Sequence, residues 1–104
     1  MTTEIEKYIF GSYSTCALKR LVFKKNKLEI NISSWIDLST EKIFKFENVE
    51  NFSEELFEDE ELPFDIIGID GSQIESGLWE FCIHCGEKEY SFRGSWPKKI
   101  GEYI

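Results

Sequence analysis

The sequence has little with which to do covalent chemistry: one histidine, three cysteines, two prolines and seven glycines in 104 residues. A single histidine leaves any His-dependent triad to His84, and no elbow or catalytic-cysteine signature surrounds a nucleophile for it. No Gly-rich phosphate loop occurs, which argues against nucleotide chemistry. Apolar runs such as Leu21-Val22-Phe23 fall far short of the roughly 20 residues that a membrane-spanning helix needs. The N-terminal Met-Thr-Thr-Glu-Ile-Glu-Lys lacks the basic, apolar and small-residue parts of a secretory signal. With an odd number of cysteines, it points to a reducing cytoplasm rather than to a disulfide scaffold. Positive charge is also short, at 12 Lys+Arg against 20 Asp+Glu and a net −8. That balance disfavours nucleic acid and anionic lipid as partners and favours a basic protein.

What is present suits one folded domain spanning 1–104. Nine Phe, four Tyr and three Trp accompany an apolar content of 41%. A chain of this size buries roughly two-thirds of its unfolded surface, enough for a core without staples. The charge is unevenly placed. Nine acids and no Lys or Arg lie between Glu47 and Asp65, whereas the remainder carries 11 acids against 12 bases. The net negative charge therefore belongs to one segment.

Alternating apolar and polar residues predict strands at 16–24, 27–32, 42–49 and 64–70. Lys25-Asn26 reads as a two-residue turn that pairs Phe23 with Leu28 and Leu21 with Ile30. Trp79–Cys85 and Lys88–Arg93 flank Gly86-Glu87 as a second hairpin. Counting outward from that turn opposes His84 to Glu89, Ile83 to Tyr90, Cys82 to Ser91, Phe81 to Phe92 and Glu80 to Arg93. Apolar and opposite-charge pairs agree on this one register. Asn51–Leu62 reads as a short acidic helix near 52–61, capped by Ser53 and stopped by Pro63, with an acidic loop as the competing reading. The first dozen residues fit either strand or helix. The expectation is a mainly β domain, an antiparallel sandwich or half-open barrel of about six or seven strands. Lys19, Arg20, Lys24, Lys25 and Lys27 cluster around the first turn, where long cations keep a strand edge soluble and unpaired.

Cys82-Ile-His-Cys85, with Cys16, has the composition of a Cys₃His zinc site. On a regular strand, however, Cys82 and Cys85 point to opposite faces. The redox reading fails because such motifs open a helix rather than run into a Gly turn. The expectation is no metal and no cofactor, with Cys85 packed as a small apolar residue and Cys82 on a polar face beside a His84–Glu89 ion pair. Asp70-Gly71 reads as a turn, because the alternating ligands of a calcium loop are missing. The acidic run Glu58–Glu61 is a solvated face rather than a glycosidase pair. No catalytic residue is expected.

Phe46-Glu-Asn-Val-Glu-Asn-Phe52, followed by Ile66-Ile-Gly-Ile69, Trp79-Glu-Phe-Cys-Ile83 and Tyr90-Ser-Phe92, resembles the small acidic immunity proteins of bacterial polymorphic toxin systems. The resemblance spans residues 42–93 and carries over no individual site residue. It implies a β-rich, non-catalytic inhibitor that neutralises a toxin in its producer's cytoplasm. Joined to the charge pattern, it places partner binding at Glu54, Glu55, Phe57, Glu58, Asp59, Glu60 and Glu61, where acids steer a basic toxin domain and aromatics anchor it. The alternative is a small-molecule or peptide binding module that uses an aromatic sheet face bearing Trp79, Phe81 and Tyr90.

Overall fold

The computed structural model describes residues 4–11, 16–56, 64–86 and 88–103. A short helix, α1 (Glu4–Phe10), precedes eight strands: β1 (Cys16–Lys24), β2 (Lys27–Ser33), β3 (Glu41–Phe46), β4 (Glu50–Leu56), β5 (Phe64–Glu75), β6 (Leu78–Cys85), β7 (Lys88–Gly94) and β8 (Lys98–Tyr103). All pair antiparallel in one sheet of order β4-β7-β6-β5-β1-β2-β3-β8 that does not close into a barrel. The mainly β, antiparallel architecture is thus as the alternation predicts, with eight strands where six or seven were expected.

The sheet folds over on itself. Laid flat, β3 and β6 would stand about 19 Å apart, four strand spacings. Instead Phe46 on β3 meets Phe81 on β6 and Phe92 on β7 edge-on, with ring centroids 5.0 and 4.9 Å apart. The fold line is the β1–β5 seam, which pairs only Cys16–Leu18 with Phe64–Ile66. One half is therefore β5, β6, β7 and β4, the other β1, β2, β3 and β8, and their inner faces form the core. Leu28, Ile30, Ile32, Phe44, Ile69 and Ile83 are fully or almost fully buried there.

Two three-residue crossings, 47–49 and 95–97, carry the chain between the halves. They are clasped together: Ser95 N–H donates to Glu47 O at 2.9 Å, and Asn48 Nδ2 donates to Ser95 Oγ at 2.9 Å. Gly94 fits closely beside this clasp: a Cβ there would lie 3.0 Å from Glu47 O.

The N-terminal segment is a helix. Ile5 and Ile9, one turn apart, are both buried against the core. Its C-terminus is closed by Gly11 at φ 58°, whose N–H reaches Lys7 O at 3.1 Å, and by Lys42 Nζ, which donates to Phe10 O at 3.2 Å. On the opposite side Glu6 Oε1 accepts the Ile69 N–H at 2.9 Å. The helix thereby ties β5 to β3.

Both predicted hairpins form. Lys25 and Asn26 adopt φ 51° and 62°, the two positive values of a type I′ turn, and Phe23 pairs with Leu28 and Leu21 with Ile30. The β6–β7 register matches the expectation at every pair from Glu80–Arg93 to His84–Glu89.

Three local expectations are corrected. Residues 52–56 lie in strand β4, not in an acidic helix, because β4 is recruited by β7, with Ser53 opposite Ser91 and Glu54 opposite Tyr90. The remainder of the expected helix, 57–61, lies outside the described residues. The strand expected over 42–49 ends at Phe46, where the first crossing begins. Asp70-Gly71 is no turn but the middle of β5, and the chain reverses later, around Gly77 at φ 78°.

Candidate functional site

The expected partner-binding residues are only partly described. Glu54 is exposed on β4 and ion-paired with Lys88. Glu55 stands opposite Glu89 in the β4–β7 register. Phe57, Glu58, Asp59, Glu60 and Glu61 lie outside the described residues. The other acids of the segment are spread more widely. Glu47 bridges to Lys45 at 4.0 Å, and Asp65, on β5, accepts the Trp35 indole N–H at 3.0 Å.

On β4, Phe52 packs on Tyr90 and Phe92 and stacks at 4.7 Å on Phe23, which is 41% exposed. The basic turn adjoins the same region, because Asn26 O accepts the Val49 N–H at 2.8 Å. Lys24, Lys25, Lys27 and Lys45 line a groove there with Val22 and Glu29. The described pairing of β1 with β5 ends at Leu18–Phe64, and the residues that would decide the expected unpaired edge at Lys19–Lys24, those preceding Phe64, lie outside the described ones.

The aromatic sheet face of the alternative reading is turned inward. Phe81 and Tyr90 are 1% and 3% exposed, and Trp79 is half-buried against Phe81 and Trp96. Burial, with the nearby Glu54 carboxylate, pushes the Tyr90 phenol up to about 12.

A second constellation lies on the outer face of β5, β6 and β7. Alternation along β6 sends Phe81, Ile83 and Cys85 inward and leaves Cys82 and His84 outward. Cys16 and Cys85 flank Ile66 in the sheet and are both buried, so the two partners of a Cys₃His site point away from Cys82. The predicted His84–Glu89 contact is present, Nδ1 to Oε2 at 3.1 Å. Two further groups complete the cluster. Cys82 Sγ lies 3.7 Å from the same His84 Nδ1 and accepts from Ser91 Oγ at 3.6 Å. Asp70 Oδ2 sits 2.7 Å from His84 Nε2. No family model, curated relative or solved structure matches this chain. The cluster must therefore be read from its own chemistry.

Carboxylates accept and do not donate, so two carboxylate contacts together favour a proton on each ring nitrogen of His84, the imidazolium form. Its pKa is raised above 6.5, first by the bond to Asp70 and further by Glu89, against a lowering by burial. The Cys82 thiol is also raised, chiefly by burial and then by its hydrogen bond to Glu89 and the charges of Glu89 and Asp70, while the Ser91 hydroxyl opposes the shift.

Asp70 was missed because β5 is not regular. The β5–β6 register shifts between Ile66 and Gly68, and Ile67 is left 67% exposed. This bulge changes the phase of alternation, so Ile69 turns inward and Asp70 outward, level with Cys82. Gly68 belongs to the device: a Cβ there would come within 2.9 Å of Glu6 Oε1, the atom that holds the Ile69 amide. The available signal was the apolar sequence Ile66-Ile67-Gly68-Ile69, whose spacing breaks period two.

Proposed function

We propose that this chain is a non-catalytic protein-binding inhibitor of the immunity-protein kind. It neutralises a basic toxin domain in the cytoplasm through the acidic surface of Glu54, Glu55, Phe57, Glu58, Asp59, Glu60 and Glu61. One observation carries the reading: the whole net negative charge lies between Glu47 and Asp65, and this stretch includes β4, an outermost strand of the sheet. An edge strand leaves one row of backbone donors and acceptors for a partner. Because lysines already bridge Glu47 and Glu54, steering falls to Glu58, Asp59, Glu60 and Glu61. The Phe23–Phe52 pair supplies the adjoining apolar anchor. Among the described residues no helix is long and apolar enough to cross a membrane.

The test is association kinetics with the product of a neighbouring reading frame, expected on this reading to be a basic toxin domain. Changing Glu58, Asp59, Glu60 and Glu61 together to Ser should slow association at low salt, with little effect at high salt and none on thermal stability. An unchanged low-salt on-rate would refute the steering surface. Failure of the chain to restore growth to cells making that domain would refute the inhibitor reading.

A further inference from the structure

We infer that Cys82, His84 and Glu89 form a binding site for one zinc-class divalent ion, with Asp70 as the group that orients the histidine. The three ligand atoms, Sγ, Nδ1 and a Glu89 carboxylate oxygen, all lie within 4.8 Å of one another. Zinc bonds of about 2.3 Å to sulfur and 2.0–2.1 Å to nitrogen or oxygen place tetrahedral ligands roughly 3.3–3.6 Å apart. The measured separations, 3.7 Å for Sγ to Nδ1 and 3.1 Å for Nδ1 to Oε2, bracket that range. The third separation, Sγ to the carboxylate, is within 4.8 Å, so the ion enters by drawing the thiol and carboxylate together by about 1 Å at most.

The surroundings match what such sites require. A ligating histidine generally donates its other ring N–H to a carboxylate, which fixes the tautomer and raises ligand basicity. Asp70 does this at Nε2, 2.7 Å away, and leaves Nδ1 facing the thiol and Glu89. The sulfur receives its own outer hydrogen bond from Ser91. All three ligands stand on one hairpin, with His84 directly opposite Glu89 and Cys82 opposite Ser91, and paired strands hold a site more firmly than a loop does.

Thiolate, imidazole and carboxylate together suit zinc and cobalt, whereas calcium and magnesium take oxygen alone. The His84 and Glu89 side chains are 35% and 32% exposed, so water completes the tetrahedron. Charge balances simply. The dication displaces the Nδ1 proton of the imidazolium and the proton of the Cys82 thiol, so binding releases two protons when both are held. The site is on the outer face and rests on observations other than those behind the inhibitor reading, although Glu55 pairs with Glu89 across β4–β7; either can fail alone.

The experiment uses the full chain, reduced, stripped with a chelator and titrated with Co²⁺. We expect one ion per chain, tetrahedral-intensity visible bands and a near-ultraviolet thiolate-to-cobalt charge-transfer band, all bleached by Zn²⁺. Cys82→Ser should abolish the charge-transfer band. Glu89→Gln should weaken binding at least tenfold and keep it. Asp70→Asn should also keep the band and lower affinity by about 10–100-fold. Circular dichroism confirms that each variant is folded. No charge-transfer band in the parent chain overturns the inference. So does a band that persists in folded Cys82→Ser, or affinity that Glu89→Gln and Asp70→Asn both leave unchanged.

Discussion

Phe46→Leu is the sharpest test of how the two halves of the sheet are held together. Phe46 has no exposed surface and meets Phe81 and Phe92 edge-on at 5.0 and 4.9 Å. Leucine keeps most of the buried apolar area, and hydrophobic swaps of similar volume cost under about 1.5 kcal/mol. It also removes two aromatic pairs worth about 0.5–1.5 kcal/mol each beyond burial. The total is about 1–4.5 kcal/mol, or a fall in Tm of roughly 4–36 °C at 4–8 °C per kcal/mol for a domain of this size. Phe23→Leu is the matched control. That ring is 41% exposed and has one stacked partner, Phe52, so its loss should cost under about 1 kcal/mol. Thermal and urea denaturation measure both variants, and a cycle with Phe81→Leu isolates the Phe46–Phe81 coupling, expected at about 0.5–1.5 kcal/mol. Equal costs at positions 46 and 23, with no coupling to Phe81, would mean that the halves are not joined through this cluster.

Three other outcomes follow from geometry already described. In metal-free protein the His84 ring should titrate above 6.5, because Asp70 on β5 and Glu89 on β7 face its two nitrogens. A raised folded-state pKa contributes stability that is full below 6.5 and lost as pH rises through the raised value. Ring-proton NMR measures the midpoint, and Asp70→Asn must lower it. A thiol reagent at mildly alkaline pH should modify Cys82 well before Cys16 or Cys85, because both of these are buried and Cys16 is pushed up to about 12. Mass spectrometry of the labelled chain decides this, and equal labelling of all three would contradict the inward placement of Cys16 and Cys85. Gly94→Ala should destabilise by about 1–3 kcal/mol, because its Cβ would press on Glu47 O at 3.0 Å and Val49 Cγ2 at 3.3 Å. A Tm unchanged from the parent would show that the crossing gives way easily.

The parts of the fold legible in the sequence are those where independent local signals agree. In β6–β7, apolar pairs on one face and charge pairs on the other demand the same register, and Lys25-Asn26 has residues able to adopt the turn its strands need. β4 was misread because Phe52, Leu56 and a run of acids fit a helical stripe as well as a strand. Its state is decided by β7, a neighbour nearly forty residues away. β8 was not anticipated, because Lys98-Lys-Ile-Gly-Glu-Tyr103 carries little alternation and becomes a strand through pairing with β3. At the cluster, the His84–Glu89 contact and the outward Cys82 were readable from period two. Asp70 was not, since a bulge held from the helix by Glu6 changes which side it faces. The expectation of no metal had rested on Cys82 and Cys85 diverging, which they do; the ligands gathered around His84 are a different set.

The crossings clasped at Glu47 and Ser95 interlock the two layers. The layer β5-β6-β7-β4 uses four consecutive strands, whereas β1-β2-β3 is completed by β8 from the far end of the chain. The first five elements donate β4 to the later hairpins, and the last four donate β8 to the earlier ones. Neither stretch of polypeptide can assemble a finished layer by itself. A chain severed between β4 and β5 would leave two pieces with mutual claims on one another, each carrying the missing border of its counterpart.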